Sequence, residues 1–335
     1  MRLFVSEVTF WTLIFRSLRF HARSHFGTLL GAAVGSAVLI GALAVGDSIR
    51  ESLRQMALAR LGKTQFALTS GDRFFREKLA DDFKIREKNE VVAVFQISGT
   101  ASATDNSARA NRIQILGVDE RLWNLAEKKF FIPNLENESV FLNHSLAEHL
   151  KTKIGETILL RVQKPSLLSR EAPISSSEDS SIALRLKVQA IISDSDLGRF
   201  SLQANQVAPF NAFVPLKLLQ EKLDLQNRAN LLLTSQQENP NEKLRAHWQL
   251  ADAQLELRSL TNQIELRSPR VFLDAPVAKV AQKVFTNEIP VLTYFVNELR
   301  VATNSTPYSM VTASKSPLIP IEMRDDEILI NQWLA

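Results

Sequence analysis

Hydrophobic residues follow two rhythms along this chain, and one of them is continuous. The stretch Phe26–Arg50 reads FGTLLGAAVGSAVLIGALAVGDSIR, and from Gly27 to Gly46 it carries no charge and only two hydroxyls, Thr28 and Ser36. Twenty helical residues at 1.5 Å each cover roughly 30 Å, the depth of a bilayer hydrocarbon core. A soluble helix keeps a polar face, and this stretch has none. The pattern predicts a membrane-spanning helix over residues 26–46. A cleaved signal peptide is the alternative, since Ala42-Leu43-Ala44 has a small-x-small pattern. A signal core runs to about 7–15 apolar residues behind a short basic head, and here the run is longer and twenty-five residues precede it. Length therefore favours a retained span.

Residues 1–25 mix Phe4, Phe10, Trp11, Ile14, Phe15 and Leu18 with Arg16, Arg19 and Arg23. That is the pattern of an amphipathic helix lying in the interface, with Trp11 at headgroup depth and the arginines as anchors. Four arginines against the single acid Glu7 place the N-terminus in the cytoplasm by the positive-inside rule. After the span, Ile49, Leu53 and Met56 continue a helical stripe, so residues 47–62 are expected as a stalk continuous with the span, stopped at Gly62. Within the span, Gly27, Gly31 and Gly35 sit four apart on one face. Two readings stand side by side: a face against which another helix packs, or the ordinary glycine content of membrane helices.

Beyond residue 62 the rhythm is shorter. Strands are expected at Phe66–Thr69, Val91–Ser98, Arg112–Gly117, Ser139–Leu142, Thr157–Gln163, Ala183–Ser193 and Ala229–Thr234. Further strands are expected at Ile264–Leu266, Val271–Leu273, Val291–Ala302, Tyr308–Ala313 and Glu327–Ile330. Helices are expected at Arg73–Phe83, Asp119–Leu125, Ser145–Leu150 behind an Asn143 cap, Pro215–Leu223, Glu242–Gln254 and Ala275–Thr286. A Ser/Thr/Ala/Asn loop should separate the strands before Arg112, and Lys164–Ser181, with two prolines and seven serines, reads as a mobile loop. The fold class is α+β: one N-terminal membrane helix and an extracytoplasmic mixed domain over residues 63–325. That domain has two lobes, the strand-rich one at about 138–235. ESVFLNHSLA at Glu138–Ala147 aligns with DEILINQWLA at Asp326–Ala335, so 326–335 is expected to start a truncated repeat.

Composition narrows the chemistry. Lys+Arg 40 against Asp+Glu 36 leaves +4, near balance, so no basic surface for nucleic acid is expected. The absence of cysteine removes disulfides, thiolate metal sites and cysteine catalysis. His144 and His149 are five apart, on different helix faces, and His21 and His25 have i, i+4 spacing but no acidic partner. Glu178-Asp179 and Asp194/Asp196 read as solvated loop charges, too few for calcium. Gly62-Lys63-Thr64 fails as a phosphate loop because Ala57 stands where glycine is needed and a helix precedes it. No catalytic, cofactor or metal residue is expected, and the chain reads as a non-enzyme.

RSLRFHARSHFGTLLGAAVGSAVLIGALAVGDSIRESL resembles the first membrane helix of FtsX/MacB-type ABC-transporter permeases. SVFLNHSLAEHLKTKIGETILLRV and FVPLKLLQEKLDLQNRANLLLT are similar to two elements of the extracytoplasmic core domain of that family. The resemblance implies a permease of the cell inner membrane with its N-terminus in the cytoplasm. It implies a cytoplasmic ABC ATPase subunit as partner, and further permease helices or a homodimer partner in the membrane. It also implies export or lipoprotein-release-type transport. A stand-alone membrane-tethered binding module is the alternative.

Overall fold

The computed structural model describes residues 9–83, 89–105, 107–127, 133–165, 181–203, 207, 209–270, 273–285 and 287–335. The chain divides between Ala59 and Arg60 into two units. The first holds α1 (Phe10–Phe20) and α2 (Ala22–Ala59), separated by a turn at His21. Residues 1–8 of the expected interfacial helix lie outside the described residues.

The second unit is built on strands. In order they are β1 (Phe66–Thr69), β2 (Phe75–Arg76), α3 (Leu79–Phe83), β3 (Val91–Ala103), β4 (Arg109–Val118), a 3₁₀ helix (Glu120–Leu125), β5 (Ser139–Asn143), α4 (His144–Leu150), β6 (Thr157–Gln163) and β7 (Ser181–Ile192). Then follow β8 (Asn211–Pro215), α5 (Leu216–Lys222), β9 (Arg228–Ala229), β10 (Leu231–Thr234), α6 (Asn241–His247) and a 3₁₀ turn (Leu250–Ala253). β11 (Glu256–Ser259), β12 (Ile264–Arg267), α7 (Ala275–Val284), β13 (Leu292–Val301) and β14 (Asn304–Ala313) complete the order.

The main sheet runs β1-β10-β3-β4-β8-β5-β7-β6, and a further pairing of β3 with β6 closes six of its strands into a ring. The two parallel pairings are β4 with β8 and β5 with β7. β3 makes closure possible by serving two neighbours in turn on one side. Val91–Val94 pair with β10, and Gly99–Ala103 pair with β6. Gly99 sits where the partner changes, beside a bulge. A Cβ there would lie 2.5 Å from the carbonyl oxygen of Arg161, so only glycine lets the backbones close at this corner. Alternation supplies the core: Ile158, Leu160 and Val162 of β6 and Leu184, Leu186 and Val188 of β7 point inward, joined by Leu146 and Leu150 of α4 and Leu219 of α5. A second cluster gathers Phe141, Phe213, Leu125 and Phe200, and a third lies under α3 around Phe75, Leu79 and Phe83.

Several expectations change. The loop before Arg112 is largely strand, because β3 and β4 run on through small residues to the closing corner. Arg73–Phe83 is helical only at Leu79–Phe83; Phe75–Arg76 within it pair as β2 with β9. Glu242–Gln254 is broken at Trp248. Asp252 binds the backbone N–H of Gln249 at 2.9 Å and forms an ion pair with Arg76 at 2.9 Å, so this stretch is folded onto β2 instead of continuing as a helix. Glu327–Ile330 forms no strand: it finds no sheet edge, and an unpaired four-residue strand has nothing to hold it. The cap that follows it does form, with the Asn331 side chain accepting from Leu334 N–H at 2.9 Å as Asn143 accepts from Leu146 at 3.1 Å. Residues 166–180 of the expected loop Lys164–Ser181 and residues 271–272 of Val271–Leu273 lie outside the described residues, and Ser181 already belongs to β7. Residues 138–235 contribute β5, β6, β7, β8 and β10 to the same sheet as β3 and β4, while β9 pairs with β2 in a separate one.

Candidate functional site: the membrane helix and its faces

α2 is 38 residues long, about 57 Å at 1.5 Å per residue, and no residue of it is buried. The high mean hydropathy of its central stretch marks it as the one helix among the described residues with the length and composition to cross a membrane. Its character changes at Asp47, where ion pairs Asp47–Arg50 at 3.5 Å and Glu51–Arg54 at 3.6 Å begin. Apolar side chains such as Leu39, Ile40 and Leu43 stand out from it on all sides. Gly27, Gly31 and Gly35 share a face, and a Cβ on any of them would meet no heavy atom within 4 Å. Among the described residues of its own unit, no side chain stands against that face.

α1 carries Trp11, Arg16 and Arg19, and Arg23 lies in the first turn of α2. Trp11 is 67% exposed and packs edge-on to Phe10 at 6.1 Å. His21 leaves helical geometry (φ −96°, ψ 18°), and its ring lies edge-on to Phe20 at 4.9 Å and to His25 at 6.2 Å.

In the second unit the candidate chemical groups take structural roles. His149 Nε2 lies 3.1 Å from the Arg109 carbonyl oxygen and its ring rests on Phe210. His144 is exposed, 4.0 Å from Glu148. Asp194 pairs with Arg199 at 2.7 Å, and Asp196 accepts from Ser193. No group of three metal-ligating side chains occurs among the described residues. The Lys63 backbone N–H donates to the Leu125 carbonyl at 2.7 Å, which ties this stretch to the 3₁₀ helix rather than to a phosphate.

Sequence reasoning missed two features. One is the Arg76–Asp252 tie: Asp252 is fully buried, and its hydrogen bond raises the Arg76 pKa above the ordinary guanidinium value. The other is a groove of about 720 Å³ floored by Phe74, Leu223 and Leu255, with the ion pairs Lys164–Asp224 and Arg267–Glu256 at its edge. Neither leaves a local signal, because the partners stand far apart in the chain.

The chain thus carries a membrane-length helix followed by a mixed-sheet unit in which the described candidate groups hold structural contacts. Residues 26–291 match the family described as "MacB-like periplasmic core domain". The chain belongs to that family, that of MacB/FtsX-type ABC-transporter permeases. Among solved structures it is similar to the periplasmic region of MacB from Actinobacillus actinomycetemcomitans, at 12% identity and a TM-score of 0.35, covering 65% of this chain and 90% of that one. It is also similar to the extracellular domain of the noncanonic ABC-type transporter YknZ from Gram-positive bacteria, at 12% identity and a TM-score of 0.33, covering 54% and 86%. No curated protein matches the chain.

Proposed function

We propose that this chain is the membrane-anchored N-terminal part of an ABC-transporter permease, coupling a cytoplasmic ATPase subunit to an extracytoplasmic domain in export or lipoprotein-release-type transport. The observation that carries the reading is the continuity of the family match, which runs without interruption from the apolar helix into the sheet domain. In this reading residues 26–46 span the inner membrane and residues 47–62 form a stalk. Residues 1–25 lie at the cytoplasmic face, anchored by Trp11, Arg16, Arg19 and Arg23. Gly27, Gly31 and Gly35 receive a helix of the same permease or of a second copy, since small residues let backbones approach closely in lipid. The chain itself hydrolyses no ATP; the partner subunit does.

Topology reporters fused after Phe20 and after Phe200 test the reading. Opposite responses, cytoplasmic for the first and extracytoplasmic for the second, are expected. A cytoplasmic signal from the second fusion overturns the topology. Affinity purification of the full chain from gently solubilised membranes should bring down an ABC ATPase; its consistent absence leaves the tethered binding module as the better account.

A further inference from the structure

We infer that α1 is a recognition element for anionic phospholipid, with Arg16, Arg19 and Arg23 reading headgroup charge; this rests on the membrane-spanning reading of α2. At 3.6 residues per turn, Phe10, Ile14 and Leu18 fall on one side of α1, with Trp11 beside them, and Arg16 and Arg19 fall on the opposite side. The apolar side is open: Phe10, Trp11 and Leu18 are all exposed. Among the described residues none of the three arginines lies within ion-pairing distance of a carboxylate. Between Glu7 and Asp47 the sequence contains no acid at all, so neither α1 nor the uncharged run carries a carboxylate to offset this charge.

The turn at His21 adds a second, independent feature. It ends α1 before the uncharged run starts, so α1 is not simply the first turns of the span. A helix with an apolar side, a cationic side and its own terminus fits the plane of an interface, where the side chains of Phe10, Ile14 and Leu18 enter the acyl boundary and guanidinium groups meet phosphates. A protein surface would have to supply acids to satisfy the same arginines. A leaflet rich in anionic lipid supplies them in every orientation, which commits the occupant to lipid.

The chain has no cysteine, so single-cysteine labelling needs no background removal. A spin label on Leu18→Cys of the full chain, reconstituted in vesicles, reports immersion through its collisions with oxygen and with a water-soluble nickel chelate. With phosphatidylglycerol added to phosphatidylcholine the label should be oxygen-accessible and chelate-protected; in phosphatidylcholine alone it should be measurably shallower. Replacing the arginines together (Arg16→Gln, Arg19→Gln, Arg23→Gln) should abolish the difference, shifting the buried-to-exposed ratio by about fivefold per arginine. The same positions as Arg→Lys should keep it, and raised salt should weaken it. Equal depth in both lipids, an unaffected glutamine variant or a failed lysine variant overturns the proposal. A label shielded from both probes also overturns it, because protein then covers α1. Alkaline carbonate separates the two readings: chain that washes off overturns the span and this inference with it, whereas chain that resists with an indifferent label overturns the inference alone. Unchanged thermal unfolding of the sheet domain excludes misfolding as the cause.

Discussion

Glycine serves opposite purposes in the two units. At two corners of the sheet unit the space that glycine leaves is filled by the chain itself: a Cβ on Gly62 would stand 2.3 Å from the Leu125 carbonyl oxygen, and one on Gly99 2.5 Å from that of Arg161. In α2 the five glycines meet nothing within 4 Å. The large apolar residues divide in the same way, with Phe95, Phe141 and Phe213 fully buried and Leu39, Ile40 and Leu43 exposed. The clusters of the sheet unit bury their large side chains within that unit, whereas α2 leaves its own exposed; under the proposed function lipid and another helix cover them. A substitution should be felt by the domain in the first case and by the assembly in the second.

The largest expected effect is that of Phe213→Ala. This ring is fully buried and packs 5.2 Å from Trp123, and its loss leaves a cavity at the centre of the second cluster. About 3–5 kcal/mol of domain stability should disappear in denaturant unfolding. Leu39→Ala in α2 should leave the same transition in place; a comparable loss there would erase the distinction between the units.

Gly99→Ala sharpens the comparison at equal chemistry. It forces a methyl group into the Arg161 backbone and Ile115, at a cost of about 1–3 kcal/mol by overpacking. Gly31→Ala should cost the domain nothing. Gly31→Leu or Gly35→Leu should instead reduce crosslinking to a membrane partner while the domain unfolds as before, because a large side chain holds the partner helix away. Unchanged crosslinking to every co-purifying membrane protein would count against the small-residue face.

The smallest effect concerns pH. Asp274 binds the Arg73 guanidinium at 2.8 Å, and that hydrogen bond holds its pKa below the ordinary carboxylate value. A depressed folded pKa means that the unfolded state takes up the proton first. The contribution is complete above the ordinary aspartate range and fades as pH falls through the depressed value. Asp274→Asn should flatten this part of the acid side of the stability profile, by a small amount because both side chains are half exposed. An identical acid profile in the variant would show that the pair is not coupled to folding.

Where local chemistry decides, the sequence was legible. β6 forms at Thr157–Gln163 as its alternation requires, and Asn143 caps α4 through its own side chain. The uncharged run becomes a helix without a break from Ala22 to Ala59, because nothing in it interrupts helical geometry. The spacing of Gly27, Gly31 and Gly35 and the placement of Trp11 and the arginines along their helices are likewise local facts. The groove at Phe74, Leu223 and Leu255 was not legible, because its floor comes from three separate parts of the chain.

The sequence by itself determined the membrane-length helix, the alternation of strands such as β6 and β7 and the Asn143 cap, since each depends on residues within a few positions of one another. Only the tertiary structure decided that β3 would leave β10 for β6 at Gly99 and close six strands into a ring. It also decided that Asp252 would be held by Arg76 in place of a longer helix, and that Glu327–Ile330 would remain unpaired. The physical reason is the same in all three. A strand, a buried carboxylate or a close backbone contact is stable only against a partner, and those partners are brought by the fold from distant parts of the chain.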